Sequence, residues 1–309
     1  MSLRLTILGC HSATPRVNAF PTAQYLEINN EHFLIDCGEG TQRQMRKYKI
    51  GFAKINRIFI SHLHGDHFYG LIGLLSTYGM LNREKELHVY GPKGIKEVIL
   101  LLLKTSKSYA KYPIVFHELN SNSSEQIYES DNVIVKTIPL EHRIYTNGYL
   151  FIEKQKQKKL HLQNINNYPE INKADYLNIK AGKNITLANG EVVPNEELTL
   201  PPKKPLQFAF CSDTCYKPDI VPIIKNVDLL YHETTFLSDR EDLAAKTKHA
   251  TAKQAATIAK EANVKQLVIG HYSGRYKDIT VFKEEAVTVF KNVYLAEPGV
   301  SFELHNNDE

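Results

Sequence analysis

The stretch Ser61-His62-Leu63-His64-Gly65-Asp66-His67 holds three histidines and one carboxylate within seven consecutive residues. It follows the apolar run 58–60, which predicts a buried strand, and precedes a segment from about residue 68 to 78 that predicts a helix. Imidazole and carboxylate groups together suit zinc and similar divalent ions. A dense set of such groups between a strand and a helix therefore predicts a metal site rather than an ordinary polar loop.

The spacing within this stretch suggests two ions rather than one. His62 and His64 are two residues apart, so their side chains leave an extended segment on the same side and can bind one ion. Gly65 is expected to let the backbone turn sharply, which would bring Asp66 and His67 toward a second ion. The remaining ligands must then come from other parts of the chain.

The composition is that of an ordinary globular protein. The chain has 309 residues, of which 42% are hydrophobic and 23% are charged. Its net charge of +4 is compatible with an anionic substrate but too small to indicate a nucleic-acid partner by itself.

The location of the protein is predicted from its first residues, its apolar runs and its cysteines. The segment 1–8 lacks the long apolar region of a signal peptide, and no apolar run approaches the length of a membrane span. Cys10, Cys37, Cys211 and Cys215 form no CxxC pair and suggest reduced thiols. We therefore expect a cytoplasmic protein without a membrane segment.

Three later segments that resemble strands also end in a metal-binding side chain. These residues are His142, Asp213 and His271. In layered α/β proteins, ligands gather where the strand ends expose loops over a rigid sheet. Together with His62, His64, Asp66 and His67 they make seven candidate ligands, which is the number wanted by two ions that share one bridging carboxylate.

Residues 153–205 differ from the rest in composition and predict an arm inserted into a single domain that spans 1–309. The segment begins with the lysine cluster 154–159, continues through asparagine-rich turns and leaves through the proline-rich run 201–205. Asn189-Gly190, between Thr186-Leu187 and Val192-Val193, predicts a hairpin. A disordered surface loop is the alternative that the composition leaves open.

The sequence His62-Leu63-His64-Gly65-Asp66-His67, followed by the three later ligands, resembles the metallo-β-lactamase superfamily. Six further stretches resemble motifs of the ribonuclease Z family, whose members process the 3′ ends of tRNA. They are Thr14-Pro15-Arg16-Val17-Asn18, Gly38-Glu39-Gly40-Thr41-Gln42, Phe210-Cys211-Ser212-Asp213-Thr214, Tyr231-His232-Glu233-Thr234-Thr235-Phe236, His249-Ala250-Thr251-Ala252 and His271-Tyr272-Ser273-Gly274-Arg275-Tyr276. The resemblance covers nearly the whole chain except the arm.

This resemblance implies a fold, a set of metal ligands and partners. The fold would be an α/β four-layer αβ/βα sandwich of metallo-β-lactamase type with the metals at one edge. Two Zn²⁺ ions would bind each chain, although the same ligands accept Mn²⁺ or Fe²⁺. His62, His64 and His142 would hold one ion, Asp66, His67 and His271 the other, and Asp213 would bridge them. The family also implies a homodimer in which the arm of one subunit holds the precursor tRNA that the other cleaves.

The expected chemistry is hydrolysis of a phosphodiester. Zinc lowers the pKa of bound water to about 7, which supplies a nucleophile at neutral pH. Asp66 is suited to orient it or to take its proton, and His249, oriented by Glu233, is suited to protonate the leaving ribose oxygen. The resemblance implies the same pair of residues. The predicted enzyme removes 3′ trailers from precursor tRNA and leaves a 3′-hydroxyl tRNA and a 5′-phosphate trailer, with Arg16, Arg275 and Tyr276 as further substrate contacts.

Two other functions fit parts of this pattern. A small-molecule phosphodiesterase, or an ester or lactone hydrolase of the same fold, would have the same metal ligands; the basic arm and the region of His249 favour a larger anionic substrate. A non-catalytic RNA-binding relative would be expected to lose ligands, whereas all seven are present.

The arm lacks the Gly-Pro-rich tip usual in the family between residues 153 and 200, so the mode of tRNA capture stays open.

Overall fold

The computed structural model describes residues 2–201 and 203–305. Residue 1 and residues 306–309, at the ends of the predicted domain, and Pro202, in the predicted exit of the arm, lie outside the described residues. The described chain divides into two compact units. The first comprises residues up to 152 together with residues from 206 onward, and the second comprises residues 153–205.

Sixteen strands and nine α-helices are present among the described residues. The strands are β1 (Ser2–Gly9), β2 (Ala23–Ile28), β3 (Glu31–Ile35), β4 (Arg57–Phe59), β5 (Leu87–Pro92), β6 (Ile114–Leu119), β7 (Gln126–Glu129), β8 (Val133–Pro139), β9 (Asn147–Glu153), β10 (Ile185–Thr186), β11 (Val192–Val193), β12 (Gln207–Cys211), β13 (Leu229–Glu233), β14 (Gln266–Gly270), β15 (Val293–Leu295) and β16 (Ser301–His305). The helices are α1 (Thr41–Lys47), α2 (Gly65–Met80), α3 (Ile95–Thr105), α4 (Leu162–Ile165), α5 (Tyr176–Lys180), α6 (Asn195–Leu198), α7 (Glu241–Thr247), α8 (Ala252–Glu261) and α9 (Thr280–Ala286).

The first unit contains two seven-stranded sheets. One has the order β16-β1-β2-β3-β4-β5-β6, and the other has the order β15-β14-β13-β12-β9-β8-β7. In each sheet the strands that precede the site are parallel neighbours, as with β3, β4 and β5 in the first sheet and β12, β13 and β14 in the second. Parallel strands end at the same edge of a sheet, so the loops that follow them lie together.

Apolar side chains divide the first unit into layers. Leu5, Ile7 and Phe33 of the first sheet share one buried cluster with Phe151 and Phe208 of the second, so the inner faces of the sheets form the main core. A second cluster joins the outer face of the first sheet to α1, α2 and α3, while apolar residues of α8 and α9 pack with the second sheet. The result is the predicted four-layer αβ/βα sandwich.

Five elements of the structure were not predicted from the sequence: strand β9 and the short helices α4, α5, α6 and α7. Asn29 and Asn30 form the hairpin turn between β2 and β3, with φ angles of 47° and 66°. Strand β9 was not predicted, because nearly every residue of this central strand is buried and the sequence therefore lacks the alternation of a half-buried strand. Helix α7, a short helix with two acidic residues in its first turn, was not predicted either.

The prediction for Gly65 was wrong in its physical reason. Gly65 is the first residue of α2, which begins three residues earlier than expected, and it is not among the described glycines with positive φ. A Cβ at this position would lie 2.2 Å from the ring of Tyr69. The glycine therefore makes room for a ring one turn later, and Asp66 and His67 belong to the first turn of the helix.

The second unit has a small core of its own. Its cluster consists of Ile165, Ile171, Ile179, Val193 and Leu198. The predicted hairpin is confirmed as β10 and β11, with Gly190 at φ 83° in the turn. The side chain of Asn195 is buried and donates to the backbone carbonyl oxygens of Ile179 and Lys183 at 2.7 and 3.0 Å, which ties α5 and α6 together.

No helix among the described residues combines the length and the apolar character needed to span a membrane.

Candidate metal centre and active site

The seven predicted ligands lie together at one edge of the first unit. They follow the carboxyl ends of β4, β8, β12 and β14, and their ligand atoms form overlapping groups within 4.8 Å of one another. One group consists of His62, His64, His142 and Asp213, and another of Asp66, His67 and His271. A third group of three, Asp213, His249 and His271, connects the cluster to the predicted proton donor.

In the first group, three imidazoles point nitrogen atoms at one another. His64 Nδ1 lies 3.0 Å from His62 Nε2 and 3.2 Å from His142 Nε2. Asp213 Oδ2 lies 3.6 Å from His62 Nε2 and 3.8 Å from His142 Nε2. The arrangement gives one ion three nitrogen donors, of which that of His64 is Nδ1 rather than Nε2.

In the second group, two imidazoles converge on two carboxylates. Asp66 Oδ2 lies 3.5 Å from His67 Nε2 and 3.3 Å from His271 Nε2. Asp213 Oδ1 lies 3.4 and 3.2 Å from the same two nitrogen atoms. The two oxygens of Asp213 therefore face different histidine groups, which is the placement that a bridging carboxylate needs.

Hydrogen bonds behind the cluster fix the tautomers of His62 and His67. His67 Nδ1 donates to Asp36 Oδ2 at 2.8 Å. Ser61 Oγ donates to the same oxygen at 2.9 Å and so accepts from His62 Nδ1 at 3.0 Å. With Nδ1 engaged in this way, both imidazoles present Nε2 to the cluster, as metal-bound histidines do.

The other two Nε2 donors are oriented in the same way. His142 Nδ1 donates to the backbone oxygen of Lys248 at 2.7 Å. Thr235 Oγ1 donates to Glu233 Oε2 at 2.8 Å and accepts from His271 Nδ1 at 2.8 Å. Thr235 thus connects a ligand histidine to the acid that is predicted to orient His249.

Two residues at the cluster have backbone conformations that the local sequence pattern does not predict. Asp36 and His271 have φ angles of 55° and 64°, in the left-handed region that most residues avoid. Both residues directly follow a buried strand, β3 and β14 respectively. The surrounding structure holds them there, and the conformation directs each side chain toward the site.

The electrostatics of the first group favour neutral imidazoles. Burial lowers the pKa of His62 well below its ordinary value and lowers that of His142 to about 4. Burial also lowers the pKa of His64, to which the nearby Arg143 contributes. Neutral imidazole is the form that binds metal, so these three histidines are ready as ligands at neutral pH.

The second group carries an excess of negative charge. Burial by itself lowers the pKa of His67, but the carboxylates of Asp213, Asp66 and Asp36 outweigh it and raise that pKa well above its ordinary value. Burial alone would raise the pKa of Asp66, but His67 and His271 hold it well below its usual range. Ionised carboxylates packed this closely need a positive charge among them.

Two buried atoms test whether metal ions fit the cluster. His67 Nε2 and Asp213 Oδ1 are buried without a hydrogen-bond partner among the described residues, and they lie 3.4 Å apart. A buried polar atom without a partner is costly, and both atoms are of the types that bind zinc. Their convergence, together with the charge excess, fits a cation between them.

Beside the cluster, Glu233 holds His249. His249 Nδ1 donates to Glu233 Oε1 at 3.0 Å, and the backbone nitrogens of Ala250 and Thr214 donate to the same oxygen at 2.8 and 3.2 Å. Burial lowers the pKa of His249, but the carboxylates of Glu233 and Asp213 outweigh it and raise the pKa to about 9. With Nδ1 engaged, Nε2 of a protonated imidazole is the nitrogen with a proton to give.

A pocket of about 400 Å³ opens over the cluster. His64, Asp66, Asp213, His249 and His271 line it, and so do Arg143 and Arg275. Among the predicted substrate contacts, only Arg275 is a lining residue. Arg16 instead donates to the backbone oxygen of Tyr276 at 2.9 Å, and the hydroxyl of Tyr276 donates to Asp239 at 3.2 Å.

Several residues of the site were not predicted from the sequence. Asp36 follows β3 in the same way that Asp213 follows β12, so the rule that polar residues at strand ends mark the site could have found it. The sequence did not indicate a role for Ser61, Thr235 or Arg143. Each of them only lies next to a predicted residue or within a stretch that resembles a family motif.

We expect Asp36→Asn to weaken metal binding about 10-fold to 100-fold, the usual effect of losing an outer hydrogen-bond partner of a ligand. The amide nitrogen of asparagine cannot accept the proton of His67 Nδ1. Competition with a chelator measures the affinity. Asp228→Asn is the matched control, because Asp228 is buried but pairs with Gln207 and Lys265 instead. Equal metal affinity in the two variants would contradict the orienting role of Asp36.

Comparison with solved structures supports the fold. Human tRNase Z, short form, is 27% identical, with a TM-score of 0.70 over 97% of this chain and 98% of that one. The metallo-β-lactamase fold protein YhfI from Bacillus subtilis, at 18% identity and a TM-score of 0.69 over 98% of this chain and 100% of that one, shares the fold.

Comparison with curated sequences decides the family. Ribonuclease Z of Cytophaga hutchinsonii is 47% identical over 304 residues, which cover 98% of this chain and 96% of that protein. Ribonuclease Z of Bacteroides thetaiotaomicron is 43% identical over 302 residues, covering 98% and 95%. The chain belongs to the ribonuclease Z family. It is accordingly a hydrolase of the metallo-β-lactamase fold whose clustered histidines and aspartates can hold metal ions.

A family model described as "Anti-Pycsar protein Apyc1" also matches, over residues 3–152. This match spans slightly less than half of the ribonuclease Z-like chain. It includes His62, His64 and His142 but stops before Asp213, His249 and His271. It therefore covers only part of the cluster, whereas the relatives named ribonuclease Z cover all of it.

Proposed function

We propose that this protein is an endoribonuclease that removes 3′ trailers from precursor tRNA. The observation that carries the proposal is the combination, in one pocket, of the seven-residue cluster with the Glu233–His249 pair. The full-length similarity to proteins named ribonuclease Z supplies the substrate class. The products are a tRNA with a 3′-hydroxyl and a trailer with a 5′-phosphate.

We propose that two zinc ions bind per chain. His62, His64 and His142 would hold one, Asp66, His67 and His271 would hold the other, and Asp213 would be shared between them. When bound, zinc lowers the pKa of water to about 7 and neutralises charge on the phosphoryl oxygens. The nitrogen and oxygen donors also suit manganese and iron, so metal analysis of the purified protein is the direct test.

Asp66 acts on the attacking water. Its side chain is largely buried, stands in the first turn of α2 and lines the pocket, so it faces the space that a substrate phosphate occupies. A pKa held well below the usual range keeps it ionised, which lets it accept a hydrogen bond from water and orient it. The positive end of the helix dipole also favours the ionised form.

His249 acts on the leaving group. Glu233 fixes the ring through Nδ1 and is itself held by four further donor contacts, from the backbone of Thr214, Thr235 and Ala250 and the hydroxyl of Thr235. Protonated Nε2 then donates its proton to the ribose 3′ oxygen as the bond to phosphorus breaks. The raised pKa of His249 means that the donor form is present at neutral pH.

We propose that residues 153–205 form the tRNA-binding arm of the single predicted domain. Lys156 and Lys159 are exposed on it, and clustered lysines bind a phosphate backbone through release of counterions. The arm of this protein has a folded core rather than a Gly-Pro-rich tip. Arg16, Arg275 and Tyr276 remain proposed contacts closer to the pocket.

Replacing Lys156 and Lys159 by alanine should weaken precursor-tRNA binding and reduce its salt dependence. The slope of log affinity against log salt concentration is expected to fall by about 0.7 to 0.9 for each phosphate that the variant no longer neutralises. Fluorescence anisotropy at several salt concentrations measures it. Lys107→Ala with Lys111→Ala is the control, since both lysines are exposed in the first unit. The same change in slope for both pairs would refute a special role of the arm.

We also propose a homodimer in the cytoplasm. The family resemblance supports the dimer, and the exposed Leu100, Leu101 and Leu102 on α3 are apolar side chains of the kind that interfaces cover. Sedimentation analysis should give twice the chain mass of 35.3 kDa, and a monomer at micromolar concentration would refute the dimer.

The four free cysteines support the proposed cytoplasmic location, because free thiols are usual in a reducing compartment.

The deciding experiment incubates the purified protein with a precursor tRNA that carries a 3′ trailer, with and without a chelator, and maps the product ends. Cleavage at the trailer junction that stops with chelator and returns with zinc is the expected result. Hydrolysis of a nitrophenyl phosphodiester without any cleavage of the precursor would instead favour a small-molecule phosphodiesterase.

A further inference from the structure

Arg143 is an exposed cation at the mouth of the site with no role in the reaction described so far. It follows His142 directly and lines the pocket beside His64. No hydrogen bond or ion pair is found between its guanidinium and any residue that the structure describes.

The neighbouring acidic groups are already engaged. The side chain of Glu141, two residues away, accepts from Lys248 Nζ at 3.1 Å. Asp66 and Asp213 face the histidines of the cluster at 3.2 to 3.8 Å. Arg143 is therefore left to pair with a group that is not part of the protein, and a guanidinium at a pocket mouth suits an oxyanion.

The strand order places Arg143 and Arg275 at opposite ends of the pocket. Arg143 lies in the loop before β9, and Arg275 lies in the loop after β14. Strands β12 and β13 separate β9 from β14 in the sheet, so three strand spacings, on the order of 14 Å, lie between the two loops. Asp213 and the Glu233–His249 pair follow the intervening strands and occupy the middle.

A polynucleotide matches this layout. Each linkage of a single strand carries one negative charge, so a strand whose scissile phosphate is at the middle of the pocket brings a second phosphate toward each end. A small phosphodiester brings only one phosphate and leaves the end positions without a partner.

We propose that Arg143 binds the phosphate adjacent to the scissile one, on the side of the cluster away from Arg275. This inference rests on the proposed function, since it requires an RNA strand in the pocket. It adds a substrate-positioning residue at the end of the site formed by His64 and His142. Because the contact is the same before and during the reaction, its loss should raise KM more than it lowers kcat.

The test combines variants with substrates that have one neutral linkage. Precursor tRNAs are made with a methylphosphonate at the linkage directly 5′ or directly 3′ of the scissile one. Arg143→Ala should raise KM about 10-fold to 100-fold on the unmodified precursor, the range for a hydrogen bond to a charged group. Cleavage by Arg143→Ala should then be unaffected by the methylphosphonate at one of the two linkages and still impaired by the methylphosphonate at the other. Arg275→Ala should show the reverse pattern.

Several outcomes would overturn the proposal. Arg143→Ala and the wild type could respond alike to both neutral linkages, or Arg143 and Arg275 could report on the same linkage. An equal loss on a nitrophenyl phosphodiester, which has one phosphate, would show that Arg143 acts through the metal cluster instead. Arg43→Ala, which removes an exposed arginine of α1 outside the pocket lining, is the matched control.

Failure of the proposed function would look different. In that case both the wild type and Arg143→Ala would leave every precursor uncut. Binding of the precursor to chelator-treated protein provides a readout without catalysis, and Arg143→Ala should weaken that binding by the same factor as it raises KM. Unchanged binding would overturn the proposal even if cleavage were slower.

Discussion

Asp66→Ala is expected to abolish cleavage of precursor tRNA, with a loss of roughly 10³-fold or more in kcat, because a metal ligand and the group that orients water disappear together. Its carboxylate lies within 3.5 Å of His67 and His271, so no neighbouring side chain replaces it without rearrangement of the cluster. The nitrophenyl phosphodiester should be affected as strongly, since both substrates need the same water. Single-turnover rates on the two substrates measure the effect.

Metal analysis separates loss of chemistry from loss of fold in this variant. We expect Asp66→Ala to contain about one metal ion fewer per chain and to keep the far-ultraviolet circular dichroism of the wild type. Asp66→Asn, which keeps the shape but removes the charge, should be similarly inactive. Cleavage of the precursor within about tenfold of wild type, in a variant that has lost the ion, would contradict the role assigned to Asp66.

His249→Ala should slow cleavage of precursor tRNA by about 10²-fold to 10⁴-fold, the usual contribution of a general acid. The metal content should remain that of wild type, because Nδ1 of His249 is held by Glu233 at 3.0 Å and His249 is outside the seven-residue set. The effect should depend on the leaving group. A nitrophenolate needs no proton to depart, so the loss on a nitrophenyl phosphodiester should be small.

This dependence distinguishes His249 from Asp66, whose replacement should affect both substrates. Glu233→Gln provides the intermediate case. It keeps the size of the side chain but weakens the bond that orients the imidazole, and a loss of about 10-fold to 100-fold is expected. If His249→Ala lost metal, or slowed the two substrates equally, His249 would be a ligand rather than the proton donor. The proximity of His249, Asp213 and His271 makes this a real alternative outcome.

The strands that precede the site could be read from the sequence because each of them is short, apolar and followed by a polar residue. Runs such as 208–211 and 266–270 are buried on both faces, and a chain can bury them only inside a layered sheet. The start of α2 was harder to place. His64 precedes it without a capping side-chain bond, so the usual signal of a Ser, Thr, Asp or Asn cap is absent.

Asp36 and Arg143 illustrate what the sequence could not provide. Asp36 is 31 residues before His67 in the chain, and only the pairing of β3 with β4 brings its carboxylate to 2.8 Å from the imidazole. In the sequence, Arg143 cannot be distinguished from other surface arginines. The strand order is what places it across the pocket from Arg275. Both roles depend on contacts between segments that are distant in sequence, and periodicity carries no information about such contacts.

The residues 61–67 and the polar ends of later strands determined by themselves which side chains are available for metal and for proton transfer, because residue type and local spacing fix that chemistry. The tertiary structure decided how these side chains are used. It turned His64 to offer Nδ1 while His62 and His142 offer Nε2, set Asp213 between the two groups, and held His271 at a φ of 64°. Hydrogen bonds to Ser61, the Lys248 carbonyl and Thr235 orient His62, His142 and His271. Asp213 of the second sheet meets His62 and His67 of the first only once both sheets have packed together.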